Sequence, residues 1–142
     1  MEAYRRTAQY HETDQMGIIH HANYVKWMEE ARVAFMNALG CGYDKIERRG
    51  VVVPVIGISI DYKKPVRFAE TFEVAVRVTR YNGRILELGY TIHNLTQGTL
   101  CTVAGSKHCF LKDGRMVAPK DVLPELDAIL KTLLEENTHE DI

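Results

Sequence analysis

The stretch Tyr10-His-Glu-Thr-Asp-Gln-Met-Gly-Ile-Ile-His-His-Ala-Asn-Tyr24 sets the carboxylate of Asp14 and the glycine Gly17 in a loop that runs into a long amphipathic segment. His21 follows seven residues after Asp14, at the point where a helix is expected to begin. A helix start presents unpaired backbone N–H groups and partial positive charge. A carboxylate beside such donors is the minimum needed to attack a polarised carbonyl, or to activate water against one. The rest of the chain reads as the support for that loop and helix.

Working outward, the helix is expected over Asn23 to Leu39. Tyr24, Trp27, Met28, Ala31, Phe35, Ala38 and Leu39 recur at three- and four-residue intervals, while Lys26, Glu29, Glu30 and Asn37 occupy the other side. Asn23 is the candidate N-cap, without a Glu or Gln three residues on to complete a capping box. Gly40 and Gly42 supply the stop. Upstream, residues 3–10 read as an edge-type strand.

Downstream the period changes to two. In residues 51–62, Ile56, Ile58, Ile60 and Tyr62 alternate with Gly57, Ser59 and Asp61, which predicts a strand with one buried face. Lys63-Lys64-Pro65 ends it. A second strand is expected over 70–81, with Phe72, Val74, Val76 and Val78 on one side. Asn82-Gly83 predicts a type I′ hairpin, a turn that needs positive φ at both central residues. Leu86, Leu88, Tyr90 and Ile92 mark the returning strand, and residues 99–112 a further one ending at Asp113-Gly114. Asp121 is expected to cap a C-terminal helix over about 121–136, striped by Leu123, Leu126, Ile129, Leu130, Leu133 and Leu134. Hairpin connections imply an antiparallel sheet whose apolar face the central helix covers, an α+β arrangement in one domain spanning residues 1–142.

Bulk composition narrows the function. The 142 residues are 46% hydrophobic and 26% charged, which suits one domain with a real core. A net charge of −1 and a pI near 6.6 argue against a nucleic-acid partner or a polybasic membrane role. Charged residues within the first twenty, and apolar runs well short of about 20 residues, predict no signal peptide and no membrane span. Cys41, Cys101 and Cys109 form no CxxC pair and leave an odd thiol, which fits a reducing, cytoplasmic location.

Thr13-Asp14, Gly17-Ile18-Ile19, His21-Ala22-Asn23-Tyr24, Trp27 and Glu29-Glu30-Ala31-Arg32, placed between a strand and a long helix, resemble the hotdog-fold acyl-CoA thioesterases of the 4-hydroxybenzoyl-CoA thioesterase type. The resemblance covers roughly residues 3 to 118. It implies a hotdog fold, an antiparallel β-sheet wrapped around a long central α-helix, to which this chain adds a C-terminal helix. It also implies that Asp14 is the essential catalytic residue and that the His21 backbone N–H polarises the thioester carbonyl. An acyl-CoA substrate and an obligate homodimer, often paired into a homotetramer with sites at the dimer interface, follow from the same likeness.

Each candidate has an ordinary alternative. Loop aspartates such as Asp14 usually serve turns. As chemistry, an aspartate is ordinarily ionised near neutrality and helix-end dipoles favour the anion, so a nucleophile or a general base fits better than an acid. His21 acts through its backbone N–H alone, or its ring orients Asp14 or a water; His20 reads as structural or exposed. Gly17 permits a tight loop and close approach of substrate. Asn23 caps, ties the loop or meets substrate. Tyr24, Trp27 and Met28 are core residues or contributors to an acyl pocket. Glu29 is a candidate for positioning water and Glu30 for an ion pair. Lys63, Lys64, Arg67, Arg80 and Arg84 stand where coenzyme A phosphates need cations, Lys64 and Arg84 foremost. His11, Asp14, His20 and His21 match none of the common zinc spacings, so neither metal nor cofactor is expected. A non-catalytic acyl-CoA-binding module and a hotdog hydratase or dehydratase are the rival readings. The hydratase is disfavoured because the chain lacks an Asp-x-Asn-Pro-x-His element.

Overall fold

In a computed structural model the described residues are 2–140, with side chains described through 137. The elements run β1 (Tyr4–Thr7), a 3-10 turn (Tyr10–Glu12), α1 (Ala22–Ala38), α2 (Tyr43–Arg48), β2 (Val51–Val52), β3 (Val55–Tyr62), β4 (Thr71–Tyr81), β5 (Leu86–Asn94), β6 (Thr99–His108), β7 (Leu111–Lys112), β8 (Arg115–Met116), α3 (Pro119–Val122) and α4 (Pro124–Glu140). A five-stranded sheet has the order β1-β4-β5-β6-β3, and a three-stranded one the order β2-β7-β8. β1 pairs antiparallel with β4, Tyr4 opposite Val74 and Thr7 opposite Thr71.

Contacts cluster into two units. The first comprises Met1–Phe35, Ile60–Val76 and Tyr90–Ala104. Within it the apolar side of α1 is buried at Tyr24, Trp27, Met28, Ala31 and Phe35, as its periodicity requires. The Trp27 indole stacks on the β4 residue Phe72 at 4.0 Å between ring centroids. Arg32, also buried, donates to the Tyr90 hydroxyl at 3.3 Å. The second unit comprises Met36–Ser59, Arg77–Gly89 and Gly105–Ile142. Its buried residues include Ile46, Val78, Leu86 and Leu88, with Leu123, Leu126 and Leu130 from the C-terminal stripe. There α1 ends in a Schellman motif, Cys41 N–H to Met36 O at 3.1 Å and Gly40 N–H to Asn37 O at 3.0 Å, with Gly40 at φ +79°.

Several boundaries differ from the sequence expectations. Asn23 is not the N-cap. α1 begins at Ala22, and the Ala22 N–H is met instead by His20 Nδ1 at 3.2 Å. The C-terminal helix does not start at Asp121, which lies within α3; α4 begins with Pro124, whose missing N–H costs nothing in a first turn. The expected strand over 51–62 is broken at Val53-Pro54 into β2 and β3, and the one over 99–112 into β6 and β7. The alternating face of β3 is not buried: Ile56 is 53% and Ile58 44% exposed, on a strand at the sheet edge.

The type I′ expectation belongs to a different turn. At Asn82-Gly83 only the glycine has positive φ, +92°, and the Asn82 carboxamide oxygen accepts the N–H groups of Arg84 and Ile85 at 2.9 and 2.8 Å. Asp113 and Gly114 do have positive φ, +53° and +75°, between the paired residues Lys112 and Arg115. That is the two-residue hairpin whose mirror-image turn suits the twist of its strands.

Candidate active site

The segment between the 3-10 turn and α1 is pinned at its base by small backbone pairings. Thr13 bridges to Ile19 and Ile18 to Arg67, while Asp14 N–H donates to Ile18 O at 2.9 Å and Ile19 N–H to Val66 O at 2.9 Å. Gly17, at φ +78°, closes the tip by donating its N–H to Asp14 O at 3.1 Å. The Asp14 side chain takes part in this turn through one oxygen, Oδ1, which accepts the Met16 N–H at 2.8 Å. Among the described residues no donor is recorded on Oδ2.

His21 immediately precedes α1. Its carbonyl accepts from the Tyr62 hydroxyl at 3.1 Å and from Tyr24 N–H at 3.2 Å, while its own N–H has no recorded acceptor among the described residues. The imidazole is exposed and stacks on that of His20, 4.3 Å between centroids. Burial pushes the Tyr24 phenol up to about 12, and burial also raises that of Tyr62, so both hydroxyls keep their protons across the neutral range. Tyr62 can therefore act as a donor to His21 throughout.

A groove of about 340 Å³ within the first unit gathers these groups. Asp14, His21, Tyr24 and Lys64 line it, four of the residues expected from the sequence, together with Ile18, Ile19, Tyr62, Lys63 and Pro65. The Tyr24 and Tyr62 rings meet edge to face at 5.0 Å, giving it an aromatic wall. Lys63 pairs with Asp61 at 3.3 Å. Asn23 turns its carboxamide away, donating to Glu12 O at 2.9 Å. Trp27 and Met28 are buried in the core. Glu30 pairs with Arg6 at 3.4 Å and accepts from Tyr4 at 2.9 Å; Glu29 is exposed. Arg84 is exposed at the β4–β5 turn in the second unit.

Two participants were not singled out from the sequence. Tyr62 reads from the sequence as one residue of an alternating strand face, with no spacing that ties it to His21. Glu12 carries no signal in the sequence beyond its charge in a polar segment, yet it is 2% exposed. Its Oε2 accepts from Arg6 Nη1 at 2.6 Å and Trp27 Nε1 at 2.8 Å, and its Oε1 from Gln9 N–H at 2.8 Å. Burial opposes ionisation of this carboxyl, but the Gln9, Trp27 and Arg6 donors outweigh it and hold the group below the usual carboxylate range.

An antiparallel sheet with a long helix, entered from a loop that carries a carboxylate, is the arrangement that the resemblance to hotdog-fold thioesterases implies. The comparisons agree. The sequence profile of the Thioesterase-like superfamily matches residues 8–130. The chain is 46% identical over 99 residues to the Bacillus subtilis protein named "Putative acyl-CoA thioesterase YneP", a match covering 70% of this chain and 71% of that one. Among solved structures, a hypothetical protein from Aquifex aeolicus superposes with a TM-score of 0.82 at 34% identity, over 89% of this chain and 99% of that chain. A DHNA-CoA thioesterase from Staphylococcus aureus superposes with a TM-score of 0.93 at 27% identity, over 99% of this chain and 95% of the other. The chain belongs to the Thioesterase-like superfamily: it is a hotdog-fold hydrolase of thioesters.

Proposed function

We propose that this protein is an acyl-CoA thioesterase of the 4-hydroxybenzoyl-CoA type, cleaving an acyl-CoA to free acid and coenzyme A. The observation that carries the reading is the convergence of Asp14 and His21 on one groove. In the reaction the His21 N–H donates to the thioester carbonyl oxygen and draws electron density from the carbonyl carbon. Asp14 then works in one of two ways. As a nucleophile, its carboxylate adds to that carbon, the C–S bond breaks and coenzyme A leaves as the thiolate; water then hydrolyses the mixed anhydride. As a general base, it takes a proton from water, whose oxygen adds to the carbon before the same thiolate departs. Tyr24 and Tyr62 supply a surface for the acyl group, Lys64 a cation for a coenzyme A phosphate, and Gly17 the tight loop tip. Three free thiols favour a reducing, cytoplasmic setting.

Free-thiol release from acetyl-, palmitoyl-, benzoyl- and 4-hydroxybenzoyl-CoA, compared between wild type and Asp14→Asn, tests the reading. Asparagine keeps an oxygen for the Met16 N–H, so the turn survives while the charge goes. The expected loss in kcat is about 100-fold or more, the scale of a missing acid–base group. Binding without turnover by the wild type points instead to a binding module. Equal rates in both proteins make Asp14 a turn residue only.

The quaternary reading is a homodimer or homotetramer. It is supported by the uncovered apolar residues Ile56 and Ile58 on one face of the edge strand β3, which a second copy of the chain can cover. Sedimentation equilibrium is expected to give two or four times the 16.2 kDa chain mass, and Ile58→Lys to lower it. A monomer mass for the wild type would remove this reading.

A further inference from the structure

We propose that Glu12 and Asn23 are positioning residues that together aim the His21 N–H into the groove; the inference rests on the carbonyl-polarising role given above to that N–H. The peptide between His20 and His21 fixes that direction. It is planar and trans, so the His21 N–H points opposite to the His20 carbonyl. That carbonyl is held by the backbone N–H of Asn23 at 3.0 Å. On the other side of the same residue, the His20 N–H is held by Glu12 O at 2.8 Å. His20 is thus gripped at both its donor and its acceptor, and the direction of the next N–H follows.

Asn23 closes the clamp. Its side-chain Nδ2 donates to the Glu12 carbonyl oxygen at 2.9 Å, the same atom that receives the His20 N–H. One residue therefore donates to both arms, from its backbone to His20 and from its side chain to Glu12. The Glu12 carbonyl is itself immobilised by the side chain of its own residue, buried and bonded to Arg6, Trp27 and Gln9. Neither Glu12 nor Asn23 lines the groove. They act through the backbone, and a donor aimed wrongly by a fraction of an ångström loses much of its effect on a developing oxyanion.

The test uses Asn23→Ala, which removes one arm of the clamp and leaves the buried carboxylate intact, with Glu12→Gln as the second variant. Steady-state kinetics on the most rapidly cleaved member of the acyl-CoA panel should show kcat lowered about tenfold or more in each, with KM within about twofold of wild type. A second readout is spectroscopic. The carbonyl stretch of ¹³C-labelled thioester bound to Asp14→Asn should lie at lower frequency than in free substrate, and should return toward the free value in Asp14→Asn/Asn23→Ala. A ligand bound equally well with an unchanged carbonyl stretch, or a kcat equal to wild type, overturns the positioning role. So does a kcat loss matched by general loss of thermal stability with no spectral change. Failure of the parent reading looks different: the wild type itself then releases no thiol, or Asp14→Asn matches it.

Discussion

The two carboxylate oxygens of Asp14 stand in different surroundings, and that difference makes a turn role compatible with the chemical one proposed for it. Oδ1 is engaged by the Met16 N–H, while the groove contains the residue as a whole. A single aspartate can therefore shape its loop with one oxygen and leave the other for substrate or water. His21 shows the same economy: its carbonyl is satisfied by Tyr62 and Tyr24, and among the described residues its N–H is left over. Tyr62→Phe removes one of the two donors to that carbonyl found among the described residues. Neutral hydrogen bonds contribute about 0.5–1.5 kcal/mol net, so kcat/KM is expected to fall by no more than about tenfold. Thiol-release kinetics check this, and a loss approaching that of Asp14→Asn would give the phenol a direct part in the reaction.

At the scale of elements, α4 is held in the second unit by a specific polar tie as well as by its leucines. The Tyr81 hydroxyl of β4 donates to Asp127 at 2.5 Å, and Lys131 pairs with the same carboxylate at 2.9 Å. Asn137 further along α4 donates to Val78 O. Removing the hydroxyl in Tyr81→Phe takes a buried donor from a charged acceptor and should cost about 1.5–3 kcal/mol, read as a lower urea midpoint. A midpoint unchanged by the substitution would make the tie incidental. Long elements such as α1, β4 and β5 are legible from their sequence because nine to seventeen residues repeat one period. β2, β7 and β8 have two residues each and offer no period to read. The alternation in β3 located the strand correctly but not its covering, because a pattern says that a face is apolar, not what lies against it. For the site, the linear motif placed Asp14, His21 and Tyr24 on one groove. Glu12 is not legible in the sequence, because its partners Arg6 and Trp27 lie on either side of it and only folding makes it their common acceptor.

Taken as a whole, the molecule carries acidic groups whose ionisation is bound up with its folding. Glu12 and Glu70 in the first unit and Asp127 in the second all have carboxyls held below their ordinary values of 4.5 and 3.8. For Glu70, burial is outweighed by donors from Gln97, Arg67 N–H and Asn94; for Asp127 the main cause is the Tyr81 hydroxyl. A carboxyl depressed in the folded state contributes stability above its unfolded pKa, and that contribution is lost as pH falls through the folded value. Denaturant midpoints should therefore be flat from neutrality to about pH 5 and fall steeply below it. Glu70→Gln is expected to shallow that fall, and an unchanged slope would exclude Glu70 as a source. The fold also contains its own clock. Cys101 in β6 is fully enclosed, and its carbonyl receives the N–H groups of both Lys63 and Lys64 at the groove rim, at 2.8 and 3.0 Å. An alkylating reagent can reach that sulfur only when the strand opens, so its labelling rate times the breathing of the groove wall, while half-buried Cys41 reports on the second unit from the same sample.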